Sequence, residues 1–208
     1  MLEIINEKLE QNLPVNIELG CGTNKSSAYI GIDLHPLTNV DIVLDFEQGL
    51  ELIQNSTVDS YKSRHVMEHI RNFELLQSEV YRTLKPGGIQ EMIVPHFSSP
   101  YFYSDPTHVR TFGLYTMSYF SSNHLFRRKI PSFYFDFQFE LISVNLGFRT
   151  SRYKLKNLLG KYLFEKIFNF TPLFQELYEV FLSKYFSCTE IKFVLRKPHN
   201  APPLHTQE

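Results

Sequence analysis

Gly20, Cys21 and Gly22 follow a short apolar run, and Asp33 closes a second one. Glycine lets the backbone turn tightly and approach a bound molecule. A carboxylate ending the neighbouring strand can accept hydrogen bonds from the paired hydroxyls of a ribose. The chemistry this pairing suits is the binding of a nucleoside-containing ligand. Glu18 stands beside the glycines, where it would repel a pyrophosphate and favour a ligand with a positive amino group. The dinucleotide fingerprint also fails, because Lys25 stands where its third glycine would be. Cys21 is expected to pack beside the ligand and not to act as a nucleophile.

A second group of reactive side chains follows the fifth apolar run, in "VPHFSSPYFYSDPTHVRTF". His96 directly follows that run and is expected to point into the reaction space. Asp105, His108 and Arg110 fall within a few residues of one another. An imidazole can take a proton from a nucleophilic hydroxyl or amine. A guanidinium can hold a carboxylate or phosphate in two parallel hydrogen bonds. Asp105 before Pro106 can equally cap its own turn. A metal held by His96, Asp105 and His108 suits the donor types, but the spacing matches no strong motif, and no metal is expected.

These groups must be carried by an alternation of strands and connections. "VNIEL" (15–19), "AYIGIDL" (28–34) and "VDIVLDF" (40–46) read as strands buried on both faces. A more polar fourth spans 57–66 and a fifth 89–95. Between the last two, Ile70, Phe73, Leu76, Val80 and Leu84 recur at spacings of three and four, one face of a helix. That helix is expected to start near Glu68 and His69, with Glu68 favouring its N-terminus, and to stop at Pro86-Gly87-Gly88. The connection from Gly22 to Tyr29 is too short for a full helix. A lead-in helix is expected over 1–13. Residues 96–135 read as an irregular aromatic lid and 135–148 as a strand. Residues 151–186 read as a helical insertion broken at Thr171-Pro172, and 187–197 as a last strand. Residues 198–208 read as a disordered tail. The pattern implies a parallel sheet with crossover connections, as one domain over 1–197.

At this point the chain resembles the class I S-adenosylmethionine-dependent methyltransferases, of the kind often labelled methyltransferase type 11. The resemblance rests on "IELGCGTN", "IGIDLHP", "IVLDFE", "VDSYKSRHVMEHI" and "EVYRTLKPGGIQEMIVP", in the family's order over residues 15–95. It implies a Rossmann-like, mainly parallel seven-stranded α/β sheet with helices on both faces and S-adenosyl-L-methionine as cofactor. By resemblance, Glu18, Gly20, Cys21 and Gly22 line the methionine part. Asp33, followed by Leu34, holds the ribose, and Asp45 and Phe46 face the adenine. Arg64 and His65 floor the methionine end. "DPTHVRTF" is similar to a stretch after the fifth strand of several bacterial members. The implied activity is O- or N-methylation of a small or medium acceptor, with a glycan or lipid-linked intermediate as an option. A cofactor-binding protein without turnover is the alternative from another class, ahead of a nicotinamide-dependent oxidoreductase.

The totals narrow the classes further. The 208 residues carry a net charge of −1, so no nucleic-acid partner is expected. Two cysteines far apart form neither a disulfide framework nor a zinc pattern, which favours a reducing cytoplasm. The chain holds 19 Phe and 12 Tyr without Trp, read mainly as core. Lys154, Lys156, Lys161, Lys166 and Lys184 alternate with Leu158, Leu159, Leu163, Phe164, Ile167, Phe168 and Phe170. This insertion is expected to cap the active site with a solvated lysine face. Contact with a membrane surface or a partner is the alternative.

Overall fold

A computed structural model describes residues 3–131, 133–148 and 160–200. The apolar runs become β1 (Asn16–Leu19), β2 (Ile30–Asp33), β3 (Ile42–Val43), β4 (Val58–Arg64) and β5 (Leu84–Pro95), joined by β6 (Glu140–Gly147) and β7 (Glu190–Arg196). They form one seven-stranded sheet in the order β3-β2-β1-β4-β5-β7-β6. The first five pair in parallel, and β7 runs antiparallel to both neighbours. This is the Rossmann-like sheet expected from the sequence. The order reverses at β1, between β2 and β4. Loops leaving β1 and β4 therefore diverge, and the crevice at their carboxyl ends is where open α/β sheets bind ligands.

Helix α1 (Glu3–Glu10) leads into the sheet, and α2 (Phe73–Thr83) links β4 to β5. Phe73, Leu76 and Val80 form the buried face of α2 as the spacing requires. The helix starts later than expected. Residues 66–72 form turns, and the Glu47 carboxylate accepts the Arg71 and Asn72 N–H groups at 2.7 and 3.1 Å. Glu68 and His69 are thus turn residues, not a helix start. Pro86-Gly87-Gly88 does not end the helix either. It bulges inside β5, where β4 advances from Val58 to Ser60 while β5 advances from Leu84 to Ile89. β3 is shorter than expected because flanking carboxylates turn the chain. Asp41 accepts the Gly31 N–H at 2.7 Å, and Asp45 caps a 3-10 turn over Phe46–Gln48. Among the described residues, no helix joins Gly22 to Tyr29.

Most of the phenylalanines are core, whereas most of the tyrosines are not. Phe112, Phe120, Phe137 and Phe139 are buried, and Phe120 stacks on Phe135 with ring centroids 4.3 Å apart. The region expected as a lid holds a short helix, α3 (Pro100–Ser104), and a 3-10 turn, Thr116–Phe120. In the insertion, a wide π turn over Gly160–Phe164 precedes α4 (Glu165–Phe168). Helix α5 (Pro172–Leu177) runs on into a second π turn, Tyr178–Leu182. The break at Thr171-Pro172 is as expected: the Thr171 hydroxyl caps α5 from the Phe174 N–H, and proline occupies the first turn, where no N–H is needed. The expected sites at Lys154, Lys156, Leu158 and Leu159 and the tail from 201 onward lie outside the described residues.

Candidate functional site

The Gly20–Gly22 loop leaves the carboxyl end of β1 with both glycines in the left-handed region, at φ 62° and 53°. Gly20 donates to the Ile32 carbonyl at 2.8 Å, which pulls the loop across β2. A Cβ at Gly20 would stand 2.3 Å from Val66 Cγ2, so the loop seats directly on the turn after β4. At Gly22 a Cβ would meet nothing within 4 Å. Asp33 closes β2 and accepts the Gly22 N–H at 2.9 Å and the His35 N–H at 3.1 Å. The carboxylate expected to meet a ribose therefore also shapes the glycine loop. Leu34 beside it is half exposed.

Glu18 is buried at 7% exposure, accepts the Ser26 N–H at 3.0 Å and lies 3.6 Å from Lys62 Nζ. Cys21 is buried against Gly31. Burial, with Asp33 and Glu18 close by, pushes its thiol up to about 11, so it stays a neutral packing group. Asp45 is exposed and accepts the Glu47 N–H at 3.1 Å. Its two possible rivals are engaged elsewhere: Asp41 with Lys25 and Gly31, and Glu47 with the start of α2. Phe46 turns into the core.

The β4 end is ionic. Arg64 Nη2 donates to Glu190 Oε2 at 2.9 Å. His65, at φ 54°, stands between Glu190 and Glu68, with ring nitrogens 3.4 Å from each carboxylate. Glu190 first, then Glu68, raise its pKa to about 9, so it is a cation at neutral pH. Beside them a cleft of about 570 Å³ is lined by Arg64, Asn145, Glu165, Lys166, Glu190 and Lys192.

The four residues expected to handle the acceptor do not gather as one group. His96 is fully buried and both ring nitrogens are engaged. Nδ1 meets Ser98 Oγ at 2.8 Å and Nε2 meets Glu179 Oε2 at 3.3 Å. As positioned, it ties β5 to the turn after α5 and does not face the crevice. Arg110 lies over the Phe73 ring at 5.0 Å and reaches the Arg71 carbonyl at 3.4 Å. Asp105 caps its own turn, accepting the Thr107 N–H at 2.9 Å and the Thr107 hydroxyl at 2.5 Å. These bonds hold its carboxyl below the usual value. Only His108 remains near it, with Nε2 3.7 Å from Asp105 Oδ2. The residue that sequence reasoning misread is Glu68. It is fully buried, and neither oxygen accepts a hydrogen bond. Turn residues Arg71-Asn72 ahead of Phe73 were the available signal that the helix starts after it.

Solved structures share this fold. An S-adenosylmethionine-dependent methyltransferase from Archaeoglobus fulgidus aligns with TM-score 0.55 and 16% identity, over 95% of each chain. One from Mesorhizobium loti aligns with TM-score 0.51 and 14% identity, over 91% of this chain and 96% of that one. The chain has the class I S-adenosylmethionine-dependent methyltransferase fold. Haemonchus contortus phosphoethanolamine N-methyltransferase 2, in complex with S-adenosyl-L-methionine, aligns over 94% of this chain and 52% of that one, with TM-score 0.51 and 18% identity. No family model matches the sequence, and no curated protein does. At these identities the likeness speaks for the fold.

Proposed function

We propose that the chain binds S-adenosyl-L-methionine at the carboxyl ends of β1–β3 and transfers its methyl group to a small polar acceptor. The observation that carries this is the Gly20–Gly22 loop, left-handed at both glycines, with the Asp33 carboxylate bonded to its Gly22 amide. The space in front of Gly22 is open, and the acids around it, Glu18 and Asp33, suit an amino group and ribose hydroxyls. They do not suit a pyrophosphate. A pyrophosphate would also want a helix N-terminus, and none follows β1. The nicotinamide reading is weakened on both counts.

In this reading Glu18 faces the methionine amino group, Asp33 accepts from the ribose, and exposed Asp45 accepts from the adenine amine. Cys21 packs alongside, and Leu34 offers an apolar edge at the end of β2. The bound sulfonium supplies an electrophilic methyl group, and transfer is chiefly a matter of alignment. The acceptor enters at the ends of β4 and β5. There the cleft between Arg64, Glu190 and Lys192 suits a polar or zwitterionic group, a sugar or headgroup included. Calorimetric titration with S-adenosylmethionine and its demethylated product tests the site. Wild-type protein should bind both in the micromolar range, and Asp33→Ala should lose about tenfold or more, the worth of a charge-assisted hydrogen bond. Absence of binding by folded wild-type protein sinks the reading. Release of the demethylated product in the presence of acceptors then separates an enzyme from a silent binder.

The insertion adds a route to a lipid-linked acceptor. Phe170, Val180, Phe181 and Tyr185 are each more than three-fifths exposed, with the exposed Lys166 and Lys184 on the same segment. Aromatic and basic side chains together favour an anionic lipid surface. Co-flotation with phosphatidylglycerol vesicles, weakened in Phe181→Ser/Tyr185→Ser, is the expected outcome. Equal recovery of both proteins with vesicles, or none of either, makes the insertion a simple cap. No helix among the described residues is long and apolar enough to cross a membrane.

A further inference from the structure

Glu68 presents a buried carboxylate with no hydrogen bond to either oxygen. An ionised group so placed is costly unless something of opposite charge balances it. Its neighbours are histidines; the nearest, His65, has Nδ1 3.4 Å from Glu68 Oε1 but also serves Glu190 from its other nitrogen. Glu68 Oε1 lies 3.9 Å from His108 Nε2 and 4.0 Å from His69 Nε2. His108 is itself buried, with 7% of its side chain exposed.

The hydrogen bonds assign the tautomers of both rings. His108 Nδ1 lies 2.9 Å from the Phe102 carbonyl, which can only accept, so Nδ1 carries a proton and the neutral ring keeps its lone pair on Nε2. His69 Nδ1 lies 2.9 Å from Thr107 Oγ1, whose one proton is given to Asp105 Oδ1. His69 Nδ1 is therefore also the donor, and its neutral ring keeps the lone pair on Nε2. Two lone pairs and a carboxylate oxygen thus converge, all within 4.8 Å of one another. Outer hydrogen bonds that fix ring orientation in this way are what metal-ligating histidines carry.

We propose that Glu68, His69 and His108 bind one divalent transition-metal ion of the zinc class, three protein donors leaving a fourth position for water. Two imidazoles and carboxylate oxygen suit zinc and its first-row neighbours, whereas magnesium prefers oxygen alone. Donors at about 2.0–2.1 Å in a tetrahedron lie roughly 3.4 Å apart, so each histidine need approach the Glu68 oxygen only by about half an ångström. Packing already holds its two halves together. The main-chain carbonyl of Glu68 accepts the Val109 and Arg110 N–H groups at 2.8 and 3.3 Å. The ion would latch the 105–110 segment to the turn after β4. Glu68 lies two residues beyond Val66, on which the glycine loop sits, so the ion would stand beside the cofactor crevice. The proposal does not rest on methyl transfer or on any acceptor.

The test uses the untagged, full-length protein stripped of metal and titrated with Zn2+ against a chromophoric chelator. One equivalent should bind, and His69→Ala and His108→Ala should each lower the affinity about 100-fold. The exposed His124 lies outside the cluster, and His124→Ala should bind as wild type does. With Co2+, wild-type protein should develop the visible absorption of a four-coordinate site, absent in His108→Ala. Zn2+ should raise the melting temperature of wild type and not of His69→Ala/His108→Ala, which covers variants that fold less well. If protonated histidines alone balance Glu68, wild type takes up no more zinc than the double variant and gains no stability from it. That result overturns the proposal.

Discussion

Gly20 and Gly22 share a left-handed backbone, yet side chains added at the two would be felt differently. Alanine at Gly20 meets both the conformational cost, about 1–2 kcal/mol, and the Val66 side chain at 2.3 Å. Gly20→Ala should therefore lower stability by more than that amount, read as a fall in urea midpoint, and displace the turn after β4. Alanine at Gly22 meets only the conformational cost, because no atom stands within 4 Å of its Cβ. Its methyl group would project into open space beside Asp33. Gly22→Ala should cost less stability than Gly20→Ala while lowering S-adenosylmethionine affinity, measured in the same titration as Asp33→Ala. Equal stability losses at the two positions would contradict the seating of the loop on Val66.

At the scale of elements, α2 is tied down at both ends by charge. Glu47 takes the Arg71 and Asn72 N–H groups of the turn that leads into it. Near its other end, Arg82 donates to Glu79 at 2.7 and 2.8 Å and to the Ile53 and Leu50 carbonyls at 2.9 and 3.1 Å. Arg82, and then the Leu50 N–H, hold the Glu79 carboxyl below its ordinary value, against a partial penalty from burial. A depressed carboxyl adds stability that is complete above the unfolded-state pKa and fades as pH falls through the folded one. Glu79→Gln should therefore be less stable than wild type at pH 7, and the gap should close on acidification below about pH 4. Urea midpoints at pH 7 and pH 3.5 measure it. A gap independent of pH would mean that the hydrogen bonds matter and the charge does not.

At the scale of the molecule, His96 joins four parts of the chain. Its ring bonds Ser98 and Glu179, Glu179 accepts the Leu114 N–H at 2.8 Å, and Ser98 Oγ accepts the Cys188 N–H at 3.0 Å. The end of β5, the aromatic segment, the turn after α5 and the approach to β7 meet there. His96→Ala would leave Glu179 without that partner and open a cavity, at a cost of roughly 2–4 kcal/mol. It should also speed proteolytic cleavage within 97–131 while leaving cofactor affinity near wild type. A loss of turnover with unchanged stability and protease resistance would return His96 to a role in the chemistry.

The strand segments, the glycine loop and the place of Asp33 at the end of β2 were legible in the residues because each depends on near neighbours. Apolar runs report burial on two faces, and paired glycines report a turn only they adopt easily. The inward face of α2 was legible for the same reason, though its start was not: Glu47, more than twenty residues away, holds the Arg71-Asn72 turn that precedes it. What Glu68, His96 and Arg110 touch was decided only in three dimensions. His69 and His108 converge on Glu68 because the Val109 and Arg110 amides bond its carbonyl, and His96 is buried because Glu179 arrives from the insertion. Periodicity records which side of an element is apolar. It carries no record of which polar groups meet across 40 or 80 residues, because that depends on how the connections pack over the sheet.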